Sequence, residues 1–119
     1  MSVVREARLK APPRQVIERV QAEIGHTEEA FVDYRETNGR SVAVCVYEQY
    51  FMRASNRIAL MVIADDFAPD QSTLVRVVVT GSSGSWLINF DMGAAGAYAE
   101  EAVRIITKLA GEHGGLLPV

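Results

Sequence analysis

The amino-acid sequence predicts a two-layer α+β domain in which two helices cover one face of an antiparallel sheet of about five strands. Apolar and polar residues alternate in the first ten residues and in several consecutive segments after residue 27, which is typical of half-buried strands. Apolar residues recur at helical spacing in two segments, one before and one after these consecutive strands. Strands that follow one another directly, with helices at either end, favour an α+β fold.

One domain accounts for the chain. Its 119 residues match the usual size of a single domain, and its 49% hydrophobic and 23% charged residues suit a folded globular protein. No internal repeat or linker interrupts the pattern. We therefore predict a single domain over residues 1–111, followed by a flexible tail over residues 112–119.

The first strand and the first helix are predicted near the N-terminus. Residues 3–10 alternate between a mainly apolar and a mainly charged set, which predicts a strand with one buried face. Pro12 and Pro13 end this strand and suit the first turn of a helix, where a missing N–H group costs nothing. Apolar residues at helical spacing then run to Ile24, and Gly25 suits the left-handed conformation that ends many helices.

Four strands are predicted next. Residues 28–37 alternate with a period of two and are followed by Asn38-Gly39, a strong signal for a two-residue hairpin turn because both residues tolerate positive φ. Further strands are predicted over residues 40–52, 57–65 and 73–80. Pro69 marks a turn before the last of them.

The C-terminal part is predicted to contain one more short strand and a long helix. Residues 85–90 alternate again, and Asp91 is suited to cap a helix whose apolar stripe ends near Ala110. The predicted order is therefore β-α-β-β-β-β-(β)-α. By analogy, this is the order of the TATA-binding-protein-like fold, and the helix-grip fold is the alternative. Neither analogy implies a function.

Both faces of the central strands are apolar, although a sheet covered on one side only should alternate between apolar and polar residues. Large bare apolar patches are uncommon on soluble monomers. We therefore predict that a partner subunit, an apolar ligand or the curvature of the sheet around a cavity covers the second face. Scattered surface residues are the alternative. The residues assigned to this interface are Ala43, Cys45, Tyr47, Ala59, Met61 and Ile63.

Several segments together resemble a known family. They are the stretch from Tyr47 to Arg57 with the strand after it, the cluster Gly81-Ser82-Ser83-Gly84-Ser85, and the helix near Ala99-Glu100-Glu101. This pattern resembles the bacterial domain-of-unknown-function family 6054 over most of the chain. Its most specific part is the run Tyr-Phe-Met-Arg-x-Ser-Asn-Arg at residues 50–57. The resemblance implies no activity, but it directs attention to two loops.

The first of these loops holds two arginines beside short polar side chains, and the second is rich in glycine and serine. Arginine presents a planar donor fork that suits a carboxylate or phosphate, and successive N–H groups in a Gly-rich turn can bind an anion. The alternative for the first loop is a hairpin turn whose arginines are solvated or paired with Glu48, and the alternative for the second is a flexible strand connection. No lysine follows the glycines, so the second loop is not a nucleotide P-loop. The predicted ligand-binding residues are Arg53, Ser55, Asn56, Arg57, Ser82, Ser83, Gly84 and Ser85.

Catalytic and metal-binding patterns are not found in the sequence. His26 and His113 have no metal-ligand partner at regular spacing, and the three aspartates between residues 65 and 70 lack the spacing of a calcium loop. Cys45, in a strand among valines, is most simply a buried small hydrophobe. No nucleophile lies in a recognisable catalytic motif. We therefore predict no catalytic residue, no metal and no cofactor.

Charge and hydropathy bear on partners and location. The formal net charge of −3 argues against nucleic acid, because phosphate binding requires a surplus of lysine and arginine. The single cysteine fits a reducing compartment. The sequence has neither the pattern of a signal peptide nor an apolar run of the ~20 residues that span a bilayer. These features predict a cytoplasmic protein that binds neither nucleic acid nor membrane.

Taken together, these patterns predict a non-enzymatic binding or assembly domain that forms a homo-oligomer through its apolar sheet face. The alternative is a carrier of a small apolar or anionic ligand, with Arg53 and Arg57 at its mouth. An enzyme of unknown type is the third hypothesis. It ranks behind the other two because the sequence shows no group of residues suited to acid/base catalysis.

Overall fold

A computed structural model describes residues 2–25, 27–51, 56–81 and 88–119. They form one antiparallel sheet and two helices, which confirms the predicted α+β class and element order. The elements are β1 (Ser2–Leu9), α1 (Pro13–Glu23), β2 (Glu28–Thr37), β3 (Arg40–Phe51), β4 (Asn56–Asp65), β5 (Thr73–Gly81) and α2 (Ile88–Gly111).

The sheet has the strand order β1-β5-β4-β3-β2, with every neighbouring pair antiparallel. Consecutive strands from β2 to β5 are neighbours in the sheet, and β1 completes the sheet by pairing with β5. The turn between β2 and β3 is the predicted two-residue turn, since Asn38 and Gly39 have φ angles of 52° and 74°. These positive angles match the right-handed twist of the strands that the turn connects.

Both helices pack on the same face of the sheet, with α1 over β3 and β4, and α2 mainly over β1 and β5. Alternate residues of the central strands point into this layer because side chains of a strand point to opposite faces in turn. The buried hydrophobic residues of the three central strands are Ala43, Cys45, Tyr47, Ile58, Leu60, Val62, Ala64, Val75, Val77 and Val79. The buried helix residues include Val16, Ile17, Val20, Tyr98, Ala99, Ala102, Ile105, Ile106 and Leu109.

The ends of two helices differ from the prediction. Ile24 already has an extended conformation (φ −68°, ψ 126°) and Gly25 has no positive φ, so α1 ends without a left-handed glycine. At the other helix, Ile88 and Phe90 belong to α2, so the predicted last strand is wrong for these residues and Asp91 lies inside the helix. Alternation over so few positions does not exclude a helix, and the alanines that follow favour one. Residues 85–87 of that prediction lie outside the described residues.

The residues after α2, predicted as a flexible tail, make defined contacts. The Arg19 guanidinium donates two hydrogen bonds to the Glu112 carboxylate, at 2.9 and 2.7 Å. Gly115 has a φ of 98°, and its amide donates to a carbonyl of the last turn of α2 at 2.7 Å. The Leu117 amide donates to the Arg8 carbonyl at 2.7 Å, which is a bridge on the outer edge of β1. The chain therefore returns from α2 to the first strand.

Candidate functional site

The sheet face that points away from the helices carries a continuous apolar row. Each of the five strands contributes one residue, and the strand register places these residues side by side across the whole sheet. We call this set the apolar row and the surface around it the open face. In spatial order, the members of the apolar row are Phe31, Val46, Met61, Val78 and Val4.

The apolar row is accessible to solvent. Phe31 is 54% exposed, Val4 is 52% exposed and Met61, at the centre, is 36% exposed. Val46 and Val78 are half-buried by their neighbours on the sheet. Both helices pack on the opposite side, so neither covers the row. Val44 and Ile63, in the next row, are half-buried apolar neighbours and widen the patch at its centre.

Charged residues surround this patch in neutral pairs. Glu6 pairs with Arg76 at 3.3 Å, and Asp33 pairs with Arg35 at 2.8 Å. A third pair, Glu48 with Arg57 at 3.2 Å, lies on the same face. Exposed pairs of this kind contribute little to folding. Their consequence is electrostatic: each of these three arginines has a carboxylate beside it, so the three pairs add no net charge to the rim.

The register corrects half of the predicted interface. Ala59, Met61 and Ile63 lie on the open face, as the prediction requires. Three other residues, Ala43, Cys45 and Tyr47, lie in the core beneath the helices. A single interface cannot hold residues from both faces of one sheet.

The pairing of β3 with β4 explains this error. Cys45 is opposite Val62 and Val46 is opposite Met61, so the valines of β3 share a face with the methionine. The sequence also missed Phe31, Val78 and Val4 as members of the same surface. The alternation of apolar and polar residues indicates which residues share a face within one strand. It assigns residues of different strands to a common surface only when the register between the strands is known.

Cys45 is a structural thiol. Its side chain is fully buried, and burial raises its pKa to about 12. Because the thiolate is the reactive form, a buried thiol with a raised pKa is a poor nucleophile. This placement agrees with its interpretation as a small core hydrophobe.

We expect Cys45 in the native protein to react with a maleimide at least about 100-fold more slowly than in the unfolded chain, because reaction requires an opening of the core. Mass spectrometry measures the rate at which the protein gains the mass of one maleimide, once in native buffer and once in denaturant. A native rate close to the unfolded rate would contradict the burial of Cys45.

A hydrogen-bonded cluster connects the helix side of β2 to α1. The Tyr34 hydroxyl donates to the side-chain oxygen Oε1 of Gln21 at 2.9 Å, and the side-chain amide Nε2 of Gln21 donates to the Glu29 carboxylate at 3.1 Å. The Tyr47 hydroxyl donates to the same carboxylate at 3.1 Å. Burial, together with this bond to Glu29, raises the pKa of Tyr47. Since each of these groups has a partner within the chain, the cluster serves to fix β2 against the core.

Of the predicted ligand-binding residues, the structure describes the backbone of Asn56, the first residue of β4, and the side chain of Arg57. Arg57 borders a cleft of about 500 Å³. The lining residues are Thr27, Glu28, Glu48, Gln49, Tyr50 and Arg57. Two carboxylates and one guanidinium among these residues disfavour an anion in the cleft.

The other predicted ligand-binding residues, namely Arg53, Ser55, Ser82, Ser83, Gly84 and Ser85, lie outside the described residues. The strand ends that bound these two segments are close together. Phe51 is paired with Asn56, and Ile58 is paired with Gly81. These strand ends therefore lie at the same end of the sheet.

Among the described residues, no group of three or more His, Cys, Asp and Glu side chains is arranged to hold a metal ion. No helix in this part of the chain is long and apolar enough to span a membrane.

Solved structures resemble this fold. A protein of Nitrosospira multiformis matches with a TM-score of 0.53 and 12% identity, covering 95% of this chain and 96% of its own. An 18 kDa protein of Caulobacter crescentus matches with a TM-score of 0.47 and 15% identity, covering 97% and 99%. A Thermus thermophilus protein matches with a TM-score of 0.44 and 13% identity, covering 89% and 94%. At these identities, the first match supports the fold alone.

Comparison with curated proteins gave no match. The model of a protein family described as a family of unknown function, DUF6054, matches residues 1–110. The chain therefore belongs to the DUF6054 family, as the motif at residues 50–57 and its neighbouring segments suggested.

Proposed function

We propose that this protein is a non-enzymatic assembly domain that forms a homodimer through the open face of its sheet. The observation that carries the proposal is the apolar row, which crosses all five strands and is covered by none of the elements that the structure describes. Exposed apolar patches rimmed by polar residues are typical of protein–protein contact sites. A cytoplasmic location is part of the same proposal, since the single buried thiol suits a reducing compartment.

The size of the open face supports a second copy as the occupant. Five strands at a spacing of ~4.8 Å are roughly 20 Å wide, and ten residues of strand are roughly 33 Å long. The projected area is therefore about 600–700 Å², close to the ~800 Å² that each partner contributes to a standard interface.

The edges of the sheet are less suited to assembly than its face. β2 has an irregularity in its register between Glu29 and Phe31, and charged side chains such as Asp33 and Glu36 follow. Bulges and charges on an edge strand oppose pairing with another chain. On the opposite edge, the bridge from Leu117 occupies a backbone group of β1. Association through the open face needs neither edge.

Among the described residues, the rim carries no surplus of positive charge, which favours a second copy over a polyanionic partner. A nucleic acid or an anionic membrane surface would require a surplus of positive charge. The open face instead carries matched pairs, and the whole chain has a formal net charge of −3. A surface with balanced charge and an apolar centre is compatible with a copy of itself.

The test is native mass spectrometry and sedimentation of wild-type protein and of the Met61→Arg variant. We expect the wild type to be a dimer, and Met61→Arg to raise the dissociation constant at least about 100-fold, because dimerisation would bury an unpaired guanidinium. Folding should be unaffected, since Met61 is exposed in the monomer.

The matched control is Ala22→Arg, which adds the same side chain at an exposed position of α1. It should leave the dimer unchanged. A wild type that is monomeric at every concentration would overturn the proposal, and so would a dimer that tolerates Met61→Arg. A monomer carrying a reproducible extra mass would favour the ligand-carrier hypothesis instead.

A further inference from the structure

We infer that the exposed side chain of Phe67 is a docking residue of the dimer, and that it enters a cleft beside the partner's Tyr50. This inference rests on the proposed dimer and names the contacts that orient its two copies. It follows from two features at opposite ends of the open face, an exposed aromatic side chain and a cleft.

Phe67 is held in place at one end of the sheet. It follows β4 and is 59% exposed. The Arg40 guanidinium donates to the backbone carbonyls of Asp66 and Ala68, at 2.9 Å each, and so fixes the chain on both sides of Phe67. The Phe67 amide donates to the Asp65 carboxylate at 3.2 Å. An aromatic side chain that is positioned before binding loses little conformational entropy in an interface.

Phe67 lies toward the open face. It borders a small cleft of about 220 Å³ together with Arg35 and Val42. The register pairs Arg35 with Val42 and Val42 with Asp65, which is four residues from Met61, so these side chains point to the open face. Phe67 and Val42 therefore form an apolar projection at this end of the face.

The cleft beside Tyr50 lies at the opposite end. Its volume is about 500 Å³, and Tyr50 is 53% exposed. The register pairs Tyr50 with Arg57 and Glu48 with Glu28, so these four lining residues also point to the open face. Aromatic pairs are favourable beyond the area that they bury, and the positive edge of an aromatic ring is compatible with nearby carboxylates. The cleft therefore suits a phenylalanine ring.

A two-fold axis along the apolar row brings the projection and the cleft together. Met61 is the central member of the row, and Asp65 and Arg57 lie four residues from it in opposite directions along β4. Rotation about this axis reverses the direction of the strands and places each strand over the same strand of the partner. Asp65 then faces the partner's Arg57, and Phe67 faces the partner's Tyr50. Symmetry makes each contact occur twice.

The charges at these two ends are complementary. Among the described residues, Asp65 has no ion-pair partner. Arg57 is exposed and pairs with Glu48 at 3.2 Å. A guanidinium has several N–H donors in a planar fork, so Arg57 can bind Glu48 and the partner's Asp65 together. The dimer then contains two ion pairs between chains.

The other charged residues tolerate this arrangement. Glu48 faces the partner's Val44, and its carboxylate remains paired within its own chain. Asp33 approaches the partner's Glu28 at the edge of the sheet, where Arg35 lies 2.8 Å from Asp33 and supplies a positive charge. No unpaired charge is moved to the centre of the interface.

A two-fold axis along β4 is less favourable. It would place Asp65 against the partner's Asp65 and Arg57 against the partner's Arg57. It would also bring Arg35 against the partner's Arg8, because these residues end the same row on opposite edges of the sheet. Like charges that face each other across an interface are destabilising.

The first test is a double-mutant cycle on the dimer with Asp65→Asn and Arg57→Gln. The asparagine retains an oxygen that can accept from the Phe67 amide, so the loop keeps its anchor. We expect each single substitution to raise the dissociation constant about five-fold, because it removes both ion pairs of the symmetric dimer. The double variant should bind no more weakly than the weaker single variant, since the pair is already lost. Arg104→Gln, at an exposed position of α2, is the matched control and should have no effect.

The second test is Phe67→Ala. We expect it to raise the dissociation constant at least about ten-fold, because an aromatic side chain in a pocket contributes strongly to an interface. Sedimentation over a range of concentrations measures the dissociation constant of every variant. Denaturant unfolding checks that each one is folded, as expected for side chains that are exposed in the monomer.

The outcomes distinguish this inference from the proposed dimer. Neutral variants that bind more tightly than wild type would indicate that like charges face each other, and would overturn this arrangement while leaving the dimer. Effects of Asp65→Asn and Arg57→Gln that multiply in the double variant would do the same, and so would a Phe67→Ala variant that binds as tightly as wild type. A monomeric wild type would overturn both.

Discussion

Replacement of Leu60 by alanine should lower the free energy of unfolding by about 2–5 kcal/mol, whereas Met61→Ala should lower it by less than about 1 kcal/mol in the monomer. The two residues are adjacent in β4 and similar in size. Leu60 is fully buried between Tyr47 and Val79 of the neighbouring strands, and Met61 lies on the open face. The large loss at Leu60 combines lost transfer free energy with the cavity that remains.

The measurement is denaturant unfolding at protein concentrations low enough to keep the chain monomeric. This condition matters because dimerisation would add stability through Met61 by mass action. Equal effects at the two positions would mean that the assignment of faces in β4 is wrong. At higher concentration, Met61→Ala should become more costly, and the increase would measure the contribution of the apolar row to association.

Alkaline pH should destabilise the protein steeply. Burial raises the pKa of Cys45 from 9.0 to about 12 and that of Tyr98 from 10.0 to about 12. Below the unfolded-state pKa of each group, both states are protonated and the full stability is present. As pH rises towards the folded-state pKa, the unfolded chain loses a proton that the folded chain retains. The free energy of unfolding therefore falls, by about 1.4 kcal/mol per pH unit for each such group.

The variant that tests this pH dependence is Tyr98→Phe. Tyr98 is buried in α2, and its hydroxyl is hydrogen-bonded to the Thr27 hydroxyl. The variant should be about 1 kcal/mol less stable at neutral pH, and its stability should fall less steeply between pH 10 and 12. Thr27→Val is the control, since it removes the hydrogen bond and keeps the ionisable group. Denaturant titrations across this pH range that give the same slope for Tyr98→Phe and wild type would contradict the prediction.

Local patterns were sufficient to predict most of the elements. Asn38-Gly39 defines its hairpin because positive φ at two successive residues suits few other pairs. Pro13 begins α1 as predicted, since proline at the first helical position removes no intrahelical hydrogen bond. The start of α2 was less predictable, because a run as short as residues 85–90 is compatible with two periodicities. The contacts of Glu112 and Leu117 join residues distant in sequence, so no local pattern indicates them.

By itself, the sequence determined the α+β class, the order of the elements and the fact that both faces of the central strands are apolar. Only the tertiary structure decided which face of the central strands is buried beneath the helices and which is the open face. The side-chain period of a strand is two, so Ala43, Cys45 and Tyr47 could belong to either face as long as both faces are apolar. The pairing of Cys45 with Val62 and the docking of both helices on that side bury one set of residues and leave Val46, Met61 and Phe31 on the open face. These are long-range contacts, and a hydrophobic pattern within one strand carries no information about them.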